Sequence, residues 1–232
     1  MFSQQTLDFL FENRLQNSRE WFEAHREDYR QYVLAPLAAL VSALTPTMRD
    51  IDPSLICEPK VDKSISRIYR DTRFSKDKSL YRDTAWAVFI RDKRLYEGLP
   101  GYFFEITPAG WRYGCGYYQT SPDSMGSIRE MALKNDPDFQ AALAAYEGAQ
   151  GIFEMEGELY KRSKYPDQPE KLRNWLDRKG IGFIRNSVDF GLLFSDGLAP
   201  MLAGHYQRLA PIYNFFIKAE GRRAISSTIG NH

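Results

Sequence analysis

The sequence predicts an α+β protein: one domain with a central, mainly antiparallel sheet packed by N-terminal and C-terminal helices. Three observations carry that reading. Apolar residues recur at helical spacing in the first fifty residues and again from about Asp123. Between Ser64 and Tyr118 the pattern changes to alternation. The links within that middle stretch are too short for the crossover helices that a parallel sheet needs.

Taken in order, Ser3 is placed to cap a first helix carrying Leu7, Leu10 and Phe11. Asn17 followed by Glu20 has the spacing of a capping box, and the helix it opens carries Trp21, Phe22, Tyr29, Tyr32 and Val33. Pro36 marks a restart, since proline suits a first helical turn and breaks an interior. Leu37, Leu40, Val41 and Leu44 form the next stripe. Strands are expected at Ile65 to Asp71, Ala85 to Arg91, Tyr102 to Thr107 and Trp111 to Tyr118, the last two joined through Pro108-Ala109-Gly110. Helices resume, with Asp136-Pro137 punctuating them and Phe139, Leu143 and Tyr146 on one face. A short helix is expected over Glu170 to Arg178, a further strand over Ile181 to Val188, and a long helix from about Ser195 to Lys218. The domain spans 1–220, and 221–232 read as a polar, poorly ordered tail.

Of the 232 residues 43% are hydrophobic and 14% aromatic, which excludes a disordered chain. No apolar run approaches the ~20 residues of a bilayer-spanning helix, and the N-terminus lacks the apolar h-region of a signal peptide. Two cysteines cannot build a disulfide framework. The expectation is a cytoplasmic protein with no membrane partner. A net charge of +1 and a pI of about 7.7 oppose duplex-DNA binding.

Charge is nevertheless segregated. Lys60 to Arg82 holds eight Lys/Arg against three Asp, and Asp123 to Glu158 is acidic before Lys161 to Arg185 turns basic again. Crowded guanidinium groups repel one another unless an anion or a carboxylate lies among them. Arg67, Arg70, Arg73, Lys76 and Lys78, with Tyr81, Arg82 and Arg112, are therefore the candidate ligand-binding residues, for a small phosphate- or carboxylate-bearing ligand. Two rivals stand beside this reading. One is an enzyme acting on a phosphorylated or nucleotide-like substrate, with Asp71 as base. The other is a structural lattice in an interaction module, in which Asp71 and Asp77 pair with the arginines internally.

The segment Arg67-x-x-Arg70-Asp71-x-Arg73-Phe74-Ser75-Lys76-Asp77-Lys78-x-x-Tyr81 resembles the signature of an uncharacterised, mostly bacterial family, the domain of unknown function 2461. Glu20-Trp21-Phe22, Gly114-x-Gly116-Tyr117-Tyr118 and Leu159-Tyr160-Lys161-Arg162 are similar to further features of it, so the likeness covers most of residues 1 to 218. Arg82 departs from the lysine usual there. The resemblance implies an α+β fold and carries no established activity.

Other chemistry is poorly represented. Gly114 and Gly116 leave a bare strand floor, open to a ligand or filled by a packed helix or a bulge, the second being favoured. Trp111, Tyr113 and Tyr117 form a stripe read as core rather than as a base-stacking surface. His25 and His205 read as surface or satisfied core histidines, and Cys115 as a buried thiol. No metal or cofactor motif is present in the sequence, so neither is expected, and the oligomeric state is not legible.

Overall fold

A computed structural model describes residues 1–73, 76–92 and 98–229. The fold is α+β with a five-stranded antiparallel sheet in the order β1-β2-β3-β5-β4. The strands are β1 (Ala85–Ile90), β2 (Gly101–Thr107), β3 (Gly110–Gly116), β4 (Glu154–Glu156) and β5 (Gly182–Ser187). The helices are α1 (Gln4–Gln16), α2 (Arg19–Ala24), α3 (Arg26–Asp28), α4 (Ala35–Ile51), α5 (Pro122–Leu133), α6 (Pro137–Gly148), α7 (Glu170–Leu176), α8 (Phe190–Leu193) and α9 (Leu198–Ile229). The end of the expected tail, residues 230–232, lies outside the described residues.

The chain gathers into two compact units. The first takes Met1–Phe89, Phe103–Tyr113 and Asn186–His205; the second takes Ile90–Tyr102, Gly114–Arg185 and Tyr206–His232.

In the first unit, Ser3 caps α1, and its backbone N–H donates to the Thr6 hydroxyl at 3.1 Å. The second cap sits one residue later than the capping-box spacing suggests. Ser18 accepts from the Trp21 N–H at 3.3 Å, whereas Asn17 is the left-handed C-cap of α1, with φ 46°. Asparagine tolerates that conformation better than most residues, so it ends a helix well.

Pro36 does not interrupt the helix. A π turn, Tyr29–Leu34, links α3 to α4, and the helix runs continuously from Arg26 to Ile51. Proline has no N–H for the Tyr32 carbonyl four residues earlier. The wider turn absorbs the misfit, and the buried Thr6 hydroxyl donates to that carbonyl at 2.7 Å. We expect Thr6→Val, nearly isosteric, to cost about 1–3 kcal/mol in urea unfolding, because it orphans both the Tyr32 carbonyl and the Ser3 N–H. A loss below about 0.5 kcal/mol would show that water replaces Thr6 there. The 26-residue helix is long and apolar enough to cross a bilayer, yet it buries Val33, Leu37, Leu40, Val41, Leu44 and Met48 on one face. Its apolarity is accounted for by the core of this unit.

In the second unit, Pro122 and Pro137 occupy first helical turns behind the caps Ser121 and Asp136, which accept from the N–H groups of Ser124 and Asp138 at 3.0 Å each. The core is aromatic: Phe139 and Phe183 each pack 5.2 Å from Trp175, and Tyr102 lies 5.2 Å from both Tyr206 and Tyr213 of α9.

The glycine floor of β3 meets the backbone of β5 rather than a helix. A Cβ at Gly114 would collide with the Phe183 carbonyl oxygen, and one at Gly116 would lie 2.5 Å from the Gly182 Cα. These glycines let the β5 backbone lie close. Of the stripe expected as core, Trp111 and Tyr113 are buried and Tyr117 is half-buried; Cys115 is buried as expected, and Tyr118 is 98% exposed.

Candidate functional site

The candidate residues lie mostly in the long connection between α4 and β1, which forms only isolated bridges. The strand expected over Ile65 to Asp71 does not form. Residues 64–66 attach to the edge of β1 through Ser66 N–H to Trp86 O (3.0 Å) and Val88 N–H to Ser64 O (2.8 Å). Beyond them the chain pairs with itself. Arg70 N–H donates to Leu80 O at 2.8 Å, Arg82 N–H donates to Ile68 O at 3.0 Å, and Tyr69 bridges Tyr81 antiparallel. Neither face of residues 67–73 is cleanly apolar, so the stretch has no stripe to lay on a core, and residues 68–70 pair with residues 80–82 as a small hairpin instead. Phe74 and Ser75 lie outside the described residues.

Buried Ile68 and Tyr81 anchor the hairpin, with the Tyr81 ring stacked 5.0 Å from Phe22 of α2. The end of α1 fixes the returning arm. Asn17 Oδ1 accepts from the Leu80 N–H at 2.7 Å, and Arg14 donates to Asp77 at 2.8 Å. Arg14 was not legible as a site residue. A cation in the last turn of a helix reads as a partner for the helix dipole, and nothing local links it to Asp77.

Arg70 also contacts Asp77, at 3.3 Å, so one carboxylate is shared by two guanidinium groups. Arg73 grips Asp71 with two nitrogens, at 2.7 and 3.0 Å, while remaining 77% exposed. Arg67 pairs with Asp62. Lys78 donates to the Thr72 carbonyl at 2.8 Å, and Lys76 has no partner among the described residues. Arg82 lies 4.4 Å over the Trp86 ring. Arg112 pairs at 2.6 Å with Glu105 across the β2–β3 hairpin. Glu130, like Glu105 an acid outside the segment, pairs with Lys134. The hairpin thus brings Arg70 together with Arg14 on Asp77, Lys76 and Lys78 lie on the same returning arm as Asp77, and Arg67 and Arg112 are engaged elsewhere. Tyr81 is fully buried, and burial, with Tyr69 beside it, pushes its phenol up to about 12.

Hydrogen bonds from the Arg73 side chain and backbone hold Asp71 down at about 2. A carboxylate so weakly basic is poorly matched to general-base work near neutral pH. Asp77 also lies well below the usual carboxylate range, through the Ser79 hydroxyl and N–H first and Arg14 after them. Both groups are depressed in the folded state, so their contribution to stability is complete above the free-aspartate value of about 4 and is lost as pH falls toward their folded values. The Asp71→Asn/Asp77→Asn variant should therefore be less stable than wild type at pH ~6, with the gap narrowing steadily as pH falls from about 4 toward about 2 in acid-unfolding curves. A gap that is constant with pH would show that these charges do not matter to the fold.

The remaining nucleophile and base candidates are occupied. The His25 ring stacks 4.0 Å from Trp21, and its Nδ1 lies 2.8 Å from the Trp21 carbonyl. His205 Nδ1 lies 2.6 Å from the hydroxyl of buried Tyr113. Cys115 is buried, and burial raises its thiol far above the ordinary range, so it is no thiolate near neutral pH.

The family described as "Conserved hypothetical protein (DUF2461)" matches residues 5–215. The chain belongs to that family. Among curated proteins no relative matches it. The span matched by the DUF2461 family includes the hairpin, Arg14 and the whole sheet. Membership of the DUF2461 family brings no assigned activity, so the reading of the site rests on its own chemistry.

Proposed function

We propose that the chain is a cytoplasmic, bacterial anion-binding protein that holds a small phosphate- or carboxylate-bearing ligand on the hairpin of residues 68–82. The observation that carries the reading is the shared carboxylate. Arg14 and Arg70 meet on Asp77, two guanidinium groups on one carboxylate, while Lys78 reaches only the Thr72 carbonyl and neither Lys76 nor Lys78 has a carboxylate partner among the described residues. Exposed ion pairs contribute about 0–1 kcal/mol each, so the basicity exceeds what the hairpin needs for its own stability. Buried Ile68 and Tyr81 already supply the anchoring. Arg70 adds a further sign: its Nε is buried with no hydrogen-bond partner among the described residues, a costly arrangement that an anion drawing the guanidinium outward would relieve.

The structural-lattice reading has its own support, since Arg67, Arg70 and Arg73 each touch a carboxylate of the same segment. Thermal unfolding separates the two. At ten times its dissociation constant a bound anion adds about 1.4 kcal/mol, or roughly 3–6 °C in a chain of this size. Phosphate should raise the melting temperature above chloride at matched ionic strength, and Arg70→Ala and Lys76→Ala should lose that increment. Arg112→Ala should retain it and so controls for stabilisation by surface exclusion. Equal responses in all four proteins would leave the lattice reading standing. Duplex DNA should not bind measurably at physiological salt, because the net charge is only +1. No membrane partner is expected either.

A further inference from the structure

The second basic segment, in the second unit, has a geometry of its own. Gly157, with φ +136°, brings the chain hard against the backbone of Gly180, where no Cβ fits. The following loop then attaches to the end of α7. Tyr160 N–H donates to Asp177 O at 2.9 Å, and Lys164 N–H donates to the buried Asp177 carboxylate at 2.9 Å. Arg129, from α5, holds that helix end by donating to the carbonyls of Leu176 (2.9 Å) and Arg178 (2.6 Å). The same guanidinium reaches the Tyr160 hydroxyl at 3.3 Å.

Three cations consequently surround one phenol. The Lys164 ammonium lies 4.0 Å from the ring centroid, the Arg129 guanidinium 5.6 Å and the Lys179 ammonium 6.0 Å. Among the described residues only Lys179 of the three has a carboxylate partner, Glu158. Carbonyl oxygens satisfy the donors of Arg129 without neutralising its charge, and its Nη1 has no acceptor among the described residues. Lys161 and Arg162 on the same loop are exposed and have no acidic partner among the described residues. Burial works against ionisation of Tyr160, yet the charge of Arg129, then the hydrogen bond and charge of Lys164, bring the phenol below its ordinary range.

We propose that Tyr160, Arg129 and Lys164, flanked by Lys161 and Arg162, form a second anion site that takes the phosphoryl group of a ligand. A phosphoryl dianion presents three acceptor oxygens, enough for the phenolic O–H, an ammonium and the free edge of a guanidinium, and its two charges offset the surplus that no local carboxylate meets. A monocarboxylate supplies fewer acceptors and half the charge. The site goes beyond the hairpin reading and does not depend on it.

The test uses the full chain carrying Arg70→Ala and Lys76→Ala, so that the hairpin cannot contribute. Isothermal calorimetry with inorganic phosphate and with pyrophosphate should show binding, weakened about tenfold or more by Lys164→Met. The side chain of Lys164 contacts the ring and hydroxyl of Tyr160 and holds no other element among the described residues, so that variant should keep the fold, with circular dichroism as the check. Tyrosinate absorbance supplies a second readout. The difference between wild-type and Tyr160→Phe titrations isolates Tyr160, and phosphate should move that curve to higher pH. Vesicles containing phosphatidic acid separate a lipid headgroup from a soluble ester: co-sedimentation that Lys164→Met abolishes assigns the phosphoryl group to a lipid. Unchanged phosphate affinity in Lys164→Met, or a Tyr160 titration indifferent to phosphate, would overturn the proposal.

Discussion

Gly114→Ala should destabilise the protein by about 3–5 kcal/mol, among the largest losses a single methyl group can cause. A Cβ at this position collides with the Phe183 carbonyl oxygen and lies 3.0 Å from both the Phe183 carbonyl carbon and the Ile184 Cα. All three atoms are backbone, so no rotamer change relieves the contact, and β3 must move away from β5. Two other glycines serve as controls. At Gly182, on the facing strand, the nearest atoms to an added Cβ are 3.8 Å away, an ordinary contact, and alanine should change stability by less than about 1 kcal/mol. At Gly126, inside α5, nothing lies within 4 Å, and alanine should stabilise by roughly 0.5–1 kcal/mol through helix propensity. Urea unfolding of the three variants checks the set. If Gly114→Ala fell within about 1 kcal/mol of wild type, the close β3–β5 approach would not be a real constraint.

The same glycine shows how the sequence can be read and where it misleads. Alternation made β1, β2, β3 and β5 legible to within a residue or two, because Tyr102, Phe104 and Ile106 are buried on one face while their neighbours are not. The Gly114-x-Gly116 pair was visible as a place of close approach, but the approaching group is a strand some seventy residues later, which spacing does not reveal. Strand β4, Glu154–Glu156, is three residues with no apolar face and left no periodic trace. The Ile65 to Asp71 segment was misread as a strand of the sheet because an isolated hairpin also prefers extended backbone. What separates the two is a stripe to bury, and this stretch has none. The candidate cations were legible because charge surplus is a property of composition. Their grouping was not, since it depends on Arg14 arriving from α1 and on Asp77 accepting two guanidinium groups at once. Likewise the Tyr160 arrangement needs Arg129 from α5, thirty-one positions earlier in the chain, and only the fold brings it to the end of α7.

Trp175→Ala is expected to cost about 3–5 kcal/mol, and Trp175→Phe about 1–2 kcal/mol. The indole is 1% exposed and is boxed in by Phe139 (5.2 Å, 84° between planes), Phe183 (5.2 Å) and Phe215 (6.1 Å). Alanine would leave a void that these rings can fill only by shifting together, whereas phenylalanine keeps the edge-to-face contacts. The position also bears on function. Trp175 immediately precedes Leu176, whose carbonyl Arg129 holds, and Asp177, whose carboxylate orders Lys164. A collapse at Trp175 would shift that helix end, the frame on which the cations around Tyr160 are set. Trp175→Ala should therefore weaken phosphate uptake at the Tyr160 site under conditions where the variant is still folded, while Trp175→Phe retains it. Urea unfolding measures the first effect and calorimetry the second. Full phosphate affinity in a folded but strongly destabilised Trp175→Ala protein would show that the end of α7 holds its shape without the indole, and that Arg129 alone positions the site.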